Sequence, residues 1–328
     1  MTVLLTGASG FLGGHLARVL LERGYDVRAF VRPGSDRRVL SGLPVEMLEG
    51  DLLDKTILNK AVRGCSYLIH AGADTQVNPA RSERVRRTNI DGTQNVLEAA
   101  AGANLARLVY IGTANVFGFG TKERPGDETR PYQGYQYGLD YMDSKWEATQ
   151  FVLHTCQTWH LPVVLVHPTF MLGPNDPKPT SNAMVLAIRR RQLPGYPPGG
   201  KNYVHVRDVA VATVNALTQG RPGESYILGN ENLNYRDAFT LIADVVGVPP
   251  PRWPIPAPVA HLAGWLSSWK SHLTGKTPLV NTAMTRVACD GHYFTAEKAR
   301  HELSLPQTPI RTAIQEAYDW FRQNGYDY

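Results

Sequence analysis

Short apolar runs alternate with amphipathic stretches through the first half of the chain, and that rhythm predicts its elements. Val3, Leu4 and Leu5 end in Thr6-Gly7, and residues 11–23 then bring Leu12, Leu16, Val19 and Leu20 round at helical spacing. A strand therefore enters a helix through a glycine turn. Gly24 closes that helix, and residues 26–31 read as a second strand. Residues 45–48, 65–73, 107–111 and 161–166 read as further strands, and a helix opens at 88–93 and continues through Val96, Leu97 and Ala100. Strand and helix alternating through residue 168 imply an α/β fold, a doubly wound parallel sheet with right-handed crossovers.

From 173 to 201 the chain turns rich in Pro and Gly, which predicts a departure into a cap. Residues 203–206 and 225–228 return as apolar strands and are expected to complete the sheet. The remainder is helical and loop-rich. The expected division is a nucleotide-binding domain of 1–168 with 203–230, and a smaller substrate-binding lobe of 169–202 with 231–328.

The first glycines carry the candidate chemistry. Gly7, Gly10 and Gly13 are spaced three apart, suiting a tight turn, backbone approach to a phosphate, and close contact of helix on strand. The helix that follows offers free N–H groups and a positive dipole end to a pyrophosphate. About twenty residues on, where a carboxylate would hold the ribose 2′-hydroxyl of NAD, the chain has Arg32, then Arg37 and Arg38. A guanidinium there suits a 2′-phosphate, so NADP is favoured over NAD. The small residues 71–73, at the end of the fourth strand candidate, would let a flat ring approach the backbone.

Composition narrows the partners. A hydrophobic fraction of 43% with 19% charged residues describes a globular chain of 328 residues with a substantial core. The formal charge of +5 is modest. Residues 81–87 alternate Arg with Ser and Glu as a solvated helix face would, and Arg189-Arg190-Arg191 forms a second patch. Neither is interleaved with stacking aromatics, so no nucleic-acid partner is expected. No apolar run reaches the ~20 residues of a bilayer span, and no leader is expected before a motif that starts at the second residue. Cys65, Cys156 and Cys289 lie far apart and fit buried thiols in a reducing cytoplasm better than disulfides or a zinc site. No metal is expected.

Tyr141 and Lys145 stand four apart, which on a helix puts a phenol and an ammonium on one face. A fixed lysine charge would favour the phenolate and give an acid/base group usable near neutrality. Thr113, just past the fifth strand candidate, adds a hydroxyl that would orient a substrate oxygen.

Residues 6–13 (TGASGFLG), Gly50-Asp51-Leu52, His70-Ala71-Gly72-Ala73, residues 89–93 (NIDGT), Tyr141 with Lys145, and residues 204–210 (VHVRDVA) together resemble the extended short-chain dehydrogenase/reductase superfamily, which includes the NAD-dependent epimerases and dehydratases. The resemblance covers the chain to about residue 230 and implies a Rossmann fold. It implies that Tyr141 is the catalytic acid/base, Lys145 its partner and a ribose ligand, and Thr113 the third member of the triad. It further implies that Gly7, Ser9, Gly10, Phe11, Leu12 and Gly13 cradle the cofactor, that Asp51 and Leu52 hold the adenine, that Ala71, Gly72 and Ala73 line the site, and that Pro168 contacts the nicotinamide. Asn89 would tie a helix to a strand.

Within the superfamily, sugar 4,6-dehydratases place Asp-Glu directly after the hydroxyl residue, where this chain has Ala114 and Asn115. Nucleotide-sugar epimerases often carry an Arg before the Pro of the sixth strand and an Asn soon after it; residues 167–174 (HPTFMLGP) have neither. That segment and Arg32 look more like the dihydroflavonol reductase and 3β-hydroxysteroid dehydrogenase branch. The segment 226–233 is also similar to bacterial members described as sugar epimerases beside hopanoid genes.

The expected function is thus NADP-dependent hydride transfer to or from a carbonyl or secondary alcohol of a small-molecule substrate. Epimerisation of a nucleotide sugar with tightly held NAD is the alternative, and a non-catalytic dinucleotide sensor a third. Tyr132, Tyr135 and Tyr137 are candidates to line a pocket for a ring-bearing substrate. Residues 253–269, with three Trp, read first as a buried helix of the second lobe and second as an apolar mouth or weak interfacial contact. A homodimer through helices flanking the sheet is expected from the resemblance.

Overall fold

The computed structural model describes residues 1–274 and 281–326. In chain order β1 (Thr2–Thr6), α1 (Phe11–Glu22), β2 (Asp26–Val31), β3 (Glu46–Glu49), α2 (Lys55–Ala61), β4 (Tyr67–His70), α3 (Glu83–Asn89), α4 (Asp91–Ala101), β5 (Arg107–Ile111), α5 (Asp140–Thr158) and β6 (Val163–Pro168) form the alternating half. There follow β7 (Phe170–Leu172), α6 (Ala183–Arg189), β8 (Gly195–Tyr196), β9 (Gly200–His205), α7 (Val206–Asn215), β10 (Ser225–Leu228), β11 (Glu231–Asn234) and α8 (Tyr235–Val246). The chain continues through β12 (Trp253–Pro254), α9 (Ala257–Thr274), α10 (Thr282–Cys289), β13 (Gly291–His292), α11 (Glu297–Glu302) and α12 (Ile310–Gln323).

The central sheet has seven parallel strands in the order β10-β6-β5-β4-β1-β2-β3. Strand periodicity explains its burial on both faces. Val3 and Leu5 of β1 point into a cluster with Leu16 and Leu20 of α1 and Val209 of α7. Leu4, between them, points the other way, among Leu68, Leu97, Tyr110 and Val152. The chain runs outward from β1 to β3 and then resumes at β4 on the other side of β1. That reversal opens a crevice at the C-terminal ends of β1 and β4, where Gly7 and Gly72 lie.

Residues 203–206, expected to rejoin this sheet, do not. They fall in β9 and the start of α7, and β9 pairs with β7, β11 and β13 in a second, four-stranded sheet. The edge beside β6 is taken by β10 alone, through Ile227 opposite His167. A short apolar run reads alike whichever sheet buries it. Buried Asn202 of β9 ties the two sheets: its side chain accepts from Thr169 Oγ1 at 2.8 Å and the Asn230 N–H at 3.0 Å, and donates to the Phe294 carbonyl at 3.1 Å.

Two surface expectations also change. Arg81, Arg84 and Arg86 are not merely solvated: they pair with Asp140, Asp74 and Glu147 and so clamp α3 against α5 and the loop after β4. Residues 253–269 are not a buried helix, because Trp253, Trp265 and Trp269 are 74%, 56% and 56% exposed.

Candidate active site

The turn after β1 fits a diphosphate. Gly7 sits at φ +68°, and a Cβ on it would lie 2.6 Å from the Gly72 nitrogen and 2.7 Å from the Ala71 carbonyl oxygen. A Cβ on Gly13 would run into the Gly7 carbonyl oxygen, so α1 packs against the turn with no side chain between them. Gly10, the N-cap of α1, has no side-chain cap, and no acidic residue stands in the first turn. The leading N–H groups and the positive end of the helix dipole are therefore unopposed. Ser9 is half-buried on the turn, Leu12 is buried, and Phe11 packs edge-on against His15 at 5.8 Å.

A buried relay that sequence reasoning passed over fixes the crevice. The Gly72 N–H donates to Thr6 Oγ1 at 3.1 Å, and Thr6 Oγ1 lies 2.7 Å from His70 Nδ1. Thr93 Oγ1 donates to the Asn89 carbonyl at 2.7 Å, so His70 Nε2–H donates to Thr93, 3.1 Å away, and Thr6 donates to the bare Nδ1. Burial holds the imidazole neutral, its pKa lowered to about 3. The clue was a histidine closing an apolar strand directly before small residues. Asn89 holds the loop after β4 to α5: its side chain accepts from the Asp74 N–H at 2.8 Å and donates to Ser144 Oγ at 3.0 Å.

The remaining cofactor candidates ring the same edge. Asp51 is exposed and accepts from the Leu53 N–H at 2.9 Å, while Asn95 donates to the Leu52 carbonyl at 3.0 Å. Ala71 and Gly72 are half-buried and Ala73 exposed at the end of β4. Pro168 is buried as the last residue of β6. Of the three arginines after β2, Arg37 pairs with Glu49 and Arg38 with Asp36. Arg32 is exposed, and nearby Ser35 Oγ is buried with no hydrogen-bond partner.

The proposed triad converges from two elements. Thr113 is buried just beyond β5, where its side chain accepts from the Asn115 N–H at 3.4 Å and favours the ionised form of the Tyr141 phenol. Tyr141 lies in the first turn of α5, whose start is anchored by Arg81 and the Ser82 N–H donating to Asp140 at 2.8 and 2.6 Å. One turn on, buried Lys145 donates to the Ile111 carbonyl at 2.7 Å with the Tyr110 ring 4.5 Å from its Nζ. Burial lowers its pKa to about 7.

The Tyr141 phenol is pushed up by burial, an effect the Thr113 side chain partly relieves. Sequence reasoning expected the opposite direction. Half-buried Tyr141 packs against an apolar cluster of Tyr137, Leu139, Met142, Ala283 and Val287, and a lysine that loses its own charge near neutrality stabilises a phenolate weakly. Tyr137 packs in this cluster and donates to Asp290 at 2.6 Å, while Phe119 lies against His292 at 4.4 Å. Those partners are more than 150 positions away in the chain, and no local signal points to them. Tyr132 packs against the same cluster from its edge, while Tyr135 is 71% exposed. Tyr132 stacks on Trp146 at 5.3 Å, and both tyrosines line a groove of about 820 Å³ on the outer side of α5.

Beneath the site His167 is buried, with Nε2 3.1 Å from Ser225 Oγ and its ring edge-on to Phe117 at 4.8 Å. Burial lowers its pKa to about 3. Neutral His167 therefore supports the floor rather than adding charge.

A seven-stranded Rossmann sheet with a glycine-lined crevice at its C-terminal edge is the fold of nucleotide-dependent enzymes of the short-chain dehydrogenase/reductase type. The chain belongs to the NAD dependent epimerase/dehydratase family, whose model matches residues 3–229. It is 34% identical to a Synechocystis protein with the provisional name dihydroflavonol 4-reductase, over 98% of this chain and 95% of that one. Sterol demethylase protein B of Methylococcus capsulatus is 29% identical over 99% of each chain. The crystal structure of a nucleoside-diphosphate-sugar epimerase from Pseudomonas aeruginosa superposes with a TM-score of 0.83 at 27% identity, over 100% of this chain and 99% of that one. The protein is an NAD(P)-dependent oxidoreductase or epimerase.

Proposed function

We propose that the protein is an NADPH-dependent reductase of a carbonyl on an apolar or ring-bearing small molecule. The observation that carries this reading is the setting of Tyr141, packed against an apolar cluster drawn from four parts of the chain and one helical turn before buried Lys145. Burial keeps the phenol protonated at neutral pH, which suits a proton donor to a carbonyl oxygen. Bound NADPH would supply the hydride to the carbonyl carbon. Tyr141 then gives its proton to the oxygen, and Thr113 orients that oxygen by a hydrogen bond.

Gly7, Gly10 and Gly13 would take the pyrophosphate, with Ser9, Phe11 and Leu12 beside it. Asp51 and Leu52 would border the adenine, Ala71 to Ala73 and Pro168 the rings, and Lys145 the ribose hydroxyls. Arg32 and the unpartnered Ser35 hydroxyl support a 2′-phosphate, and hence NADP. The relatives named as a dihydroflavonol 4-reductase and a sterol demethylase protein lend this substrate class further support.

Nucleotide-sugar epimerisation with tightly held NAD is the second reading, favoured by the likeness to the Pseudomonas epimerase. Absorbance at ~340 nm separates the two. A reductase consumes NADPH in step with an added ketone, whereas an epimerase converts a nucleotide sugar with no net change. A panel of ring-bearing ketones and nucleotide sugars tests both.

A further inference from the structure

The helix α9 is built inside out. Its inward positions are small: Ala260 and Gly264 are buried, and a Cβ on Gly264 would lie 2.5 Å from Thr285 Oγ1. Ser268 Oγ accepts from the Thr282 N–H at 3.1 Å, fastening the same side to α10. Its bulky apolar positions face outward instead. Val259, Leu262, Trp265, Leu266 and Trp269 recur at helical spacing and are each about half exposed, with Trp253 just before them more so. Most globular helices show the reverse arrangement, and a contiguous exposed apolar face marks a contact site.

We infer that this face is an interfacial anchor that seats the protein on an anionic lipid surface. Charge selects the partner. Residues 245–289 contain no Asp or Glu but four Lys or Arg (Arg252, Lys270, Lys276 and Arg286), in a protein with 29 acidic residues elsewhere. Arg252 and Arg286 are exposed. Tryptophans on a helix flanked by cations match a bilayer interface above an anionic leaflet. A second copy of this chain is disfavoured, since it would bring two segments of like positive charge together. The helix lies on the surface rather than across it, as no described helix is long and apolar enough to span a membrane.

The anchor also adjoins the site. Opposite the exposed face, α9 packs on α10, and Ala283 and Val287 of α10 belong to the apolar cluster that Tyr141 packs against. If the reductase reading holds, the lipid-facing hairpin forms one wall of its substrate pocket, so an apolar substrate reaches it from the bilayer. Lipid binding itself does not depend on that reading.

The test is flotation of the full chain with vesicles of phosphatidylcholine alone and of phosphatidylcholine with phosphatidylglycerol. Wild type is expected to float with the anionic vesicles, with a blue shift of tryptophan emission. The Trp265→Ser/Trp269→Ser double variant and, separately, Leu262→Ser should bind more weakly, the double variant by about tenfold or more, at an unchanged melting temperature. Failure of wild type to float on anionic vesicles overturns the proposal. So does equal flotation on phosphatidylcholine alone, flotation untouched by the substitutions, or self-association through this face in place of vesicle binding. Each readout is independent of turnover, so loss of the reductase reading would leave it standing.

Discussion

The Lys145 ammonium donates to the Ile111 carbonyl at 2.7 Å, and burial around that bond brings its pKa from 10.5 down to about 7. Between those values the unfolded chain binds a proton that the folded chain does not. Stability from this group therefore rises with pH from 7 to 10.5 and is lowest below 7. The cost near neutrality is on the order of 4 kcal/mol. Lys145→Met is expected to raise the melting temperature of the cofactor-free protein at neutral pH and flatten its rise toward alkaline pH, while lowering turnover by about a hundredfold or more. Thermal scans at several pH values, with and without the substitution, check this.

The buried histidines act on the acid side. His15, His70 and His167 have pKa values lowered from 6.5 to about 4, 3 and 3 by burial. Their unfolded counterparts take up protons below 6.5 while the folded rings stay neutral, so the stability they contribute is present above 6.5 and lost as pH falls toward about 4 to 3. Urea midpoints are expected to fall steeply between neutral pH and about 4. His70→Gln should make that fall shallower, at the expense of stability at neutral pH from the broken Thr6 and Thr93 bonds.

Gly7→Ala tests the turn. The new Cβ would need space held by the Gly72 nitrogen at 2.6 Å, in a left-handed conformation. A loss of about 1–3 kcal/mol is expected, together with cofactor affinity reduced by more than the stability loss accounts for. Calorimetric titration with NADPH on the folded fraction separates the two.

Arg32→Ala addresses the choice between cofactors. Loss of a charge-assisted phosphate contact should weaken NADP binding by about tenfold or more and leave NAD binding nearly unchanged. Equal weakening of both would remove the 2′-phosphate role.

The central sheet was legible because most of its strands are short apolar runs beside a turn residue, as at Val3 to Gly7, while β3, with Glu46 and Glu49 at its ends, follows from its place in the alternation. The placement of Tyr141 and Lys145 on one helical face followed from their spacing. What escaped was set by contacts distant in sequence. β9 pairs with β11 and β13, some 30 and 90 residues away, and its apolar run carries no mark of which sheet it joins. The direction of the Tyr141 pKa is set by burial against a cluster that joins Tyr137 and Met142 to Ala283 and Val287, which no local pattern brings together. The outward tryptophans of α9 were visible as composition, but their side of the helix is decided by how Gly264 meets Thr285.

The most direct measurement is turnover by Tyr141→Phe, followed as NADPH oxidation with a ring-bearing ketone that wild type reduces. The substitution removes one hydroxyl and keeps the ring that packs against the Tyr137, Met142 and Val287 cluster. Turnover is expected to fall by about two to four orders of magnitude, with NADPH affinity and melting temperature nearly unchanged. Wild-type turnover in the phenylalanine variant would contradict the role assigned to the Tyr141 phenol.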